Sequence, residues 1–276
     1  VGYGFHRECQ SAIVDGGRKS YCPPMSEKNG ERIAKRIARA GLASRREAEK
    51  WISDGRVVVN GHKIDSPALN VTETDIVVVD GKPLGAPERV RLWRYHKPAG
   101  LVTTNKDPEG RSTIFEKLPR ELPRVITVGR LDINSEGLLL LTNDGDLARR
   151  LELPSNNWLR RYRVRANGRT TPEMLAGLVN GVTVEGVRYG PVIASLDMEK
   201  GANTWLTVAI REGKNREVRK LMDHIGMTVN RLIRISYGPF QLGTLVRSGV
   251  EEVPPRVMRD QLGADTAPPP KRQGHK

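Results

Sequence analysis

The chain of 276 residues carries 46 Lys or Arg against 32 Asp or Glu, for a formal net charge of +14 and a pI near 10.1. That length suits one or two domains with a proper core, and the positive excess points to an anionic polymer or surface as partner. No apolar stretch approaches the length of a membrane-spanning helix, and aromatics, at 5%, are too sparse for a binder built mainly on base-stacking platforms.

Residues 1–29 show no usable periodicity. Met25 reads as a sensible start, the segment lacks the basic-then-apolar plan of a signal peptide, and poor order is expected there. Cys9 and Cys22 lie near His6, but no second Cys or His pair follows at ligand spacing. No metal site is therefore expected, and a reduced, cytoplasmic chain is the default.

From Gly30 the pattern sharpens. Ile33, Ala34, Ile37 and Ala38 share one helical face, away from Arg32, Lys35, Arg36 and Arg39, and Gly41 closes the helix. Ser44-Arg45-Arg46-Glu47 is a capping box opening a second helix that buries Ala48, Trp51 and Ile52 and stops at Gly55. Arg56 to Ile64 then reads as strand, Asn-Gly turn, strand. On composition alone these basic helices are either a solvated charged face or a nucleic-acid surface.

Residues 81–89, rich in Gly and Pro, make a linker. Val90 to Tyr95 alternates like a strand into a turn at His96–Gly100, and Leu101 to Thr104 reads as another short strand. The polar loop Asn105–Ser112 carries Lys106 and Arg111 and suits RNA insertion or plain solvation equally. Next comes Asp132 on a turn between Gly129 and Gly137, ahead of the apolar run Leu138–Leu141, a buried strand. A carboxylate there needs a partner. On these residues alone an Arg130–Asp132 structural pair and a functional acid both stand.

Asp146 is placed to cap a helix bearing Leu147, Ala148 and Leu151, ending before Pro154. Arg160 to Arg165 is a basic strand with Tyr162 facing away from Arg161 and Arg163, as a core residue or a stacking platform. Met174, Leu175, Leu178 and Val179 form a helical stripe; Val182–Val192, Ala194–Leu196 and Thr204–Ile210 read as strands. In the helix after Arg211, Val218, Leu221, Met222 and Ile225 make the buried stripe, with Arg219 at its edge and Lys220 pointing to solvent or phosphate. A strand, Arg231–Tyr237, follows, and residues 256–276 read as a disordered basic, proline-rich tail.

Residues 30–80, with Ser-Arg-Arg-Glu-Ala and then Gly-x-Val-x-Val-Asn-Gly, resemble the S4 RNA-binding domain. Residues 90–255 resemble the catalytic domain of RsuA-type pseudouridine synthases. The resemblance rests on Gly-Arg-Leu-Asp-x-x-Ser-x-Gly-Leu-Leu-Leu at 129–140, Arg-Tyr-Arg-Val at 161–164, Glu-Gly-Lys-Asn-Arg-Glu-Val-Arg at 212–219 and Arg-Leu-Ile-Arg-Ile at 231–235. The Asn203-Thr204-Trp205 approach is most like the branch acting on the large ribosomal subunit, and Glu217 stands where many relatives carry Gln.

The resemblance implies an α+β protein: a small S4 domain of two helices and a short β-hairpin, linked to a domain on a mixed, largely antiparallel sheet. It implies isomerisation of a uridine in structured ribosomal RNA, 23S rRNA or an assembling large subunit, by a bacterial monomer with no cofactor. Asp132 would be the essential carboxylate, Arg219 the cation keeping it ionised, and Tyr162 the aromatic stacked on the base. Arg130 and Leu232 would line the pocket. Arg32, Lys35, Arg45, Arg46, Lys63, Lys214, Arg216 and Lys220 would hold RNA, mainly by its phosphates. The rivals are a non-catalytic rRNA-binding or ribosome-assembly factor and an RNA glycosylase.

Overall fold

The computed structural model describes residues 30–263. The first module comprises β1 (Glu31–Arg32), α1 (Ile33–Arg39), α2 (Arg45–Ser53), β2 (Val57–Val59), β3 (His62–Lys63), β4 (Asn70–Val71), β5 (Val77–Val79) and β6 (Lys82–Pro83). Strands β3-β2-β5-β6 form one antiparallel sheet, and β1 pairs with β4. Ile33, Ile37, Ala48 and Ile52 bury the two helices against Val57, Val77 and Val79. The capping box forms at both ends: Ser44 Oγ accepts from Glu47 N at 3.1 Å, and Glu47 accepts from Ser44 N at 3.4 Å. The 81–89 linker is shorter than expected, because Lys82–Pro83 pair with β5 and Leu84 packs on the same core.

The second module comprises β7 (Leu92–Lys97), β8 (Ile126–Val128), β9 (Ser135–Thr142), α3 (Gly145–Glu152), β10 (Arg160–Asn167), α4 (Pro172–Ala176), β11 (Thr183–Val184), β12 (Val187–Arg188), β13 (Val192–Lys200), β14 (Asn203–Ile210), α5 (Glu217–His224), β15 (Thr228–Tyr237), β16 (Phe240–Gln241), β17 (Val250–Glu252) and α6 (Pro255–Leu262). Its sheet runs β13-β14-β10-β15-β9-β7-β17, with β16 on β15 and β8 on β9. The β15–β9 pairing is parallel and the rest antiparallel, the mixed α+β arrangement that the resemblance implies.

The apolar run is central and buried on both faces: Leu138 and Leu140 enter one core, Leu139 and Leu141 another. Beside it, β15 comes close at Gly137, whose φ is +102°; a Cβ there would lie 2.3 Å from Arg234 O. That contact sets the far side of the turn bearing Asp132. Helices α4 and α5 cover one face of the β13-β14-β10-β15 half.

Several local expectations change. Asp144, not Asp146, caps α3, its carboxylate accepting from Asp146 N and Leu147 N at 3.0 and 2.8 Å. The 182–192 segment is a hairpin, β11–β12, because Glu185 and Gly186 take φ of +50° and +76°. Leu101–Thr104 forms only an isolated bridge, Val102 to Thr113. The strand before it continues through His96 to Lys97 rather than turning there. The expected tail begins with α6, whose Met258 and Leu262, one turn apart, are buried against the α3 side; residues 264–276, like 1–29 with the cysteines, lie outside the described region. No helix among the described residues is long and apolar enough to cross a membrane.

Candidate active site

The turn between β8 and β9 places Asp132 at the rim of a cavity of about 610 Å³, lined also by Arg130, Leu131, Arg160, Tyr162, Leu232 and Arg234 among others. That volume lies within the range of small-molecule sites. The sheet explains the grouping. Tyr162 pairs with Arg234, and Leu232 pairs with Val164 on one side and Ser135 on the other, so the adjacent strands β10, β15 and β9 all contribute to the same hollow. Tyr162 is 7% exposed, and Leu232 5%, so a ring entering the cavity meets an aromatic and an aliphatic surface.

Among the described residues Asp132 has no side-chain hydrogen bond or ion pair, and the Arg130–Asp132 pair is not made. Nor does Arg219 grip it. The Arg219 guanidinium is buried, donating to Val229 O at 2.9 Å and Asn134 O at 3.0 Å. It interacts with Asp132 through the field and holds the turn by its main chain, two residues on. Burial lowers its pKa, chiefly by desolvation and then by Arg216, while Asp132 opposes that shift.

A residue unnoticed in the sequence completes the support. Lys97 is fully buried, and its ammonium donates to the carbonyls of Pro98, Asp132, Ile133 and Ser135 at 2.9–3.3 Å. Desolvation pushes its pKa down to about 8, against the pull of Asp132 and Glu136. The signal was present: Trp93, Tyr95 and Lys97 alternate on one inward face of β7. Two arginines were likewise missed. Arg160 lies over the Tyr237 ring at 4.8 Å, and Arg234 donates from Nε to Leu138 O at 2.8 Å.

The remaining expected residues separate. Arg216, at φ +51°, lines the main cavity and a second hollow of about 420 Å³ beyond Asp132, shared with Thr103, Lys106 and Arg111. Lys214 also lines the main cavity, donating to Arg188 O at 2.6 Å. Glu217, buried and raised in pKa by desolvation, lines the cavity and accepts from Lys214 N at 2.9 Å, bracing that loop. Lys220 is neither free nor at the cavity; it pairs with Glu185 at 3.0 Å.

In the first module Arg45 and Arg46 are exposed and line an inter-module cleft with Arg124 and Arg149. Lys35 bonds across it to Asp146 at 2.6 Å. Arg32 donates to Ala68 O at 2.7 Å, and Lys63 is exposed with its stem against Gly55. Among the described residues no three of His, Cys, Asp or Glu gather to hold a metal ion.

A family model described as RNA pseudouridylate synthase matches residues 91–224, and an S4 domain model matches 31–77. An uncharacterized RNA pseudouridine synthase of Rickettsia bellii is 48% identical over 229 residues, covering 83% of this chain and 99% of the relative. The ribosomal large subunit pseudouridine synthase B of Yersinia pestis is 41% identical over 220 residues, 77% of this chain and 69% of the relative. A crystal structure of a pseudouridylate synthase superposes with a TM-score of 0.58 at 24% identity, over 84% of this chain and 99% of that one, a likeness of fold.

Proposed function

Because the chain belongs to the RNA pseudouridine synthase family, isomerases acting on RNA, we propose that it converts a uridine of 23S rRNA to pseudouridine with Asp132 as the essential carboxylate. The large-subunit target is supported by likeness to synthases named for that subunit in Pseudomonas aeruginosa, at 44% identity, and Yersinia pestis, at 41%. The observation that carries the site is the convergence of Asp132, Tyr162 and Leu232 on one cavity.

The reaction breaks the N1–C1′ bond, turns the base and joins C5 to C1′, after which the C5 proton leaves. The uridine must first leave its stack, at a cost of a few kcal/mol, lowest in loops. Tyr162 and Leu232 then hold the detached uracil so that it turns instead of escaping. Asp132 acts on the ribose, at C1′ as nucleophile or at the C2′ proton, and in either role must be ionised; Lys97 and Arg219 hold its turn through the carbonyls of Asp132 and Asn134. The S4 module anchors folded RNA through Arg45 and Arg46. The enzyme works as a monomer in the cytoplasm.

Pseudouridine mapping of rRNA from cells with and without the protein tests the target. Asp132→Asn tests the residue: tritium release from 5-tritiated uridine should cease while RNA binding persists. Unchanged release would remove Asp132 from the chemistry, free uracil would indicate a glycosylase, and binding without any release by the wild type would indicate an assembly factor.

A further inference from the structure

Strand β10 has two faces, and only one belongs to the cavity. Tyr162, Val164 and Ala166 point into the core covered by α4 and α5. Arg161, Arg163 and Arg165 therefore project from the opposite side of the sheet. That side carries a row of cations at alternate positions, continued on β15 by Arg231, which pairs with Arg165 in register.

These cations are weakly neutralised. Arg161 is exposed, and its side chain has no ion pair or hydrogen bond among the described residues. Arg163 approaches Asp197 only at 4.0 Å, the limit of an ion pair. Arg165 has a buried Nε without a partner. Arg231 is satisfied by Glu136, at 2.9 and 3.0 Å. The Arg163 guanidinium lies 4.9 Å from the Trp205 ring centroid, which fixes it in place while its edge stays free to donate.

Guanidinium groups gathered on one face with few carboxylate partners suit phosphate oxygens. Asp197 meets the row only at Arg163 and Glu136 only at Arg231, so among the described residues Arg161 and Arg165 have no carboxylate partner. We propose that this back face is a second RNA-binding surface, gripping the phosphate backbone of rRNA flanking the target while the opposite face holds the uridine. The proposal rests on the rRNA reading above. It makes the enzyme a reader of long RNA, touched on both sides of the sheet, rather than of an isolated hairpin.

The test compares the full-length wild type with Arg161→Ser/Arg163→Ser/Arg165→Ser on two probes, a 23S rRNA transcript and a short hairpin taken from it. The triple variant should lose affinity for the transcript several-fold more than for the hairpin, and its log–log salt slope on the transcript should fall by about two. Equal losses on both probes, or an unchanged slope, overturn the proposal. Replacing the same three arginines with Lys keeps the charge, so transcript binding should be retained; its loss would assign the first result to sheet damage and also overturn the proposal. So would undiminished binding to naked transcript with loss of binding to assembling subunits, because the partner would then be a ribosomal protein. Binding is read without isomerisation, so failure of the catalytic reading leaves this outcome legible.

Discussion

The Lys97 ammonium, buried in β7, donates to the main-chain carbonyl of Asp132 at 3.1 Å. A cation thus reaches the candidate carboxylate's own residue through the backbone and leaves the side chain free to face the cavity. With three more carbonyls on the same ammonium, the turn has little freedom to move.

Lys97→Met removes the donor to four carbonyls. Unsatisfied buried groups cost about 1–3 kcal/mol each, part of it recovered by relaxation and by no longer burying a charge. Turnover should fall at least tenfold, with RNA affinity little changed. An unaltered kcat would show that the turn keeps its geometry without Lys97.

The same lysine predicts a pH dependence. Its folded pKa, about 8, lies below the ordinary 10.5. Below pH 8 both folded and unfolded chains are protonated, and the burial penalty is constant. Between the two values the unfolded chain keeps a proton that the folded chain has lost, so stability rises with pH, by up to about 3 kcal/mol across the whole window. Urea unfolding from about pH 7.5 to about pH 9.5 should show this rise relative to Lys97→Met. Parallel profiles would place Lys97's titration elsewhere.

Gly137→Ala would drive a Cβ to 2.3 Å from Arg234 O and 2.7 Å from Arg234 N at a φ of +102°. Both contacts are backbone, so the β9–β15 pairing must shift. A loss of about 3 kcal/mol or more is expected, roughly 6–12 °C in Tm by calorimetry.

Arg219→Lys keeps the charge but lacks the fork that spans Val229 O and Asn134 O. We expect kcat to fall at least tenfold with KM nearly constant, since the guanidinium holds the reacting turn and does not line the cavity. A change confined to KM would make Arg219 an RNA contact instead.

Arg45→Ala/Arg46→Ala should weaken binding to structured rRNA and flatten its salt dependence by about two in log–log slope. An unchanged slope would move the phosphates away from the α2 end of the cleft.

What the chain declared by itself was local or periodic. Ser44 and Glu47 lie three residues apart, Leu138 to Leu141 are contiguous, and Tyr162 alternates with its arginine neighbours, so near-neighbour geometry and burial pattern were enough to place them. The grouping of Asp132, Tyr162 and Leu232 came with the family motifs. Tertiary structure alone decided the partners: Lys97 meets Asp132 across 35 positions, Arg219 meets Asn134 across 85, and Lys220 meets Glu185 across 35. Those pairings depend on how the strands and the α5 segment come together, above all β15 running parallel to β9 against a residue with no side chain. Hydrophobic periodicity states which face is inward and carries no information about which distant carbonyl or carboxylate a buried cation will find there.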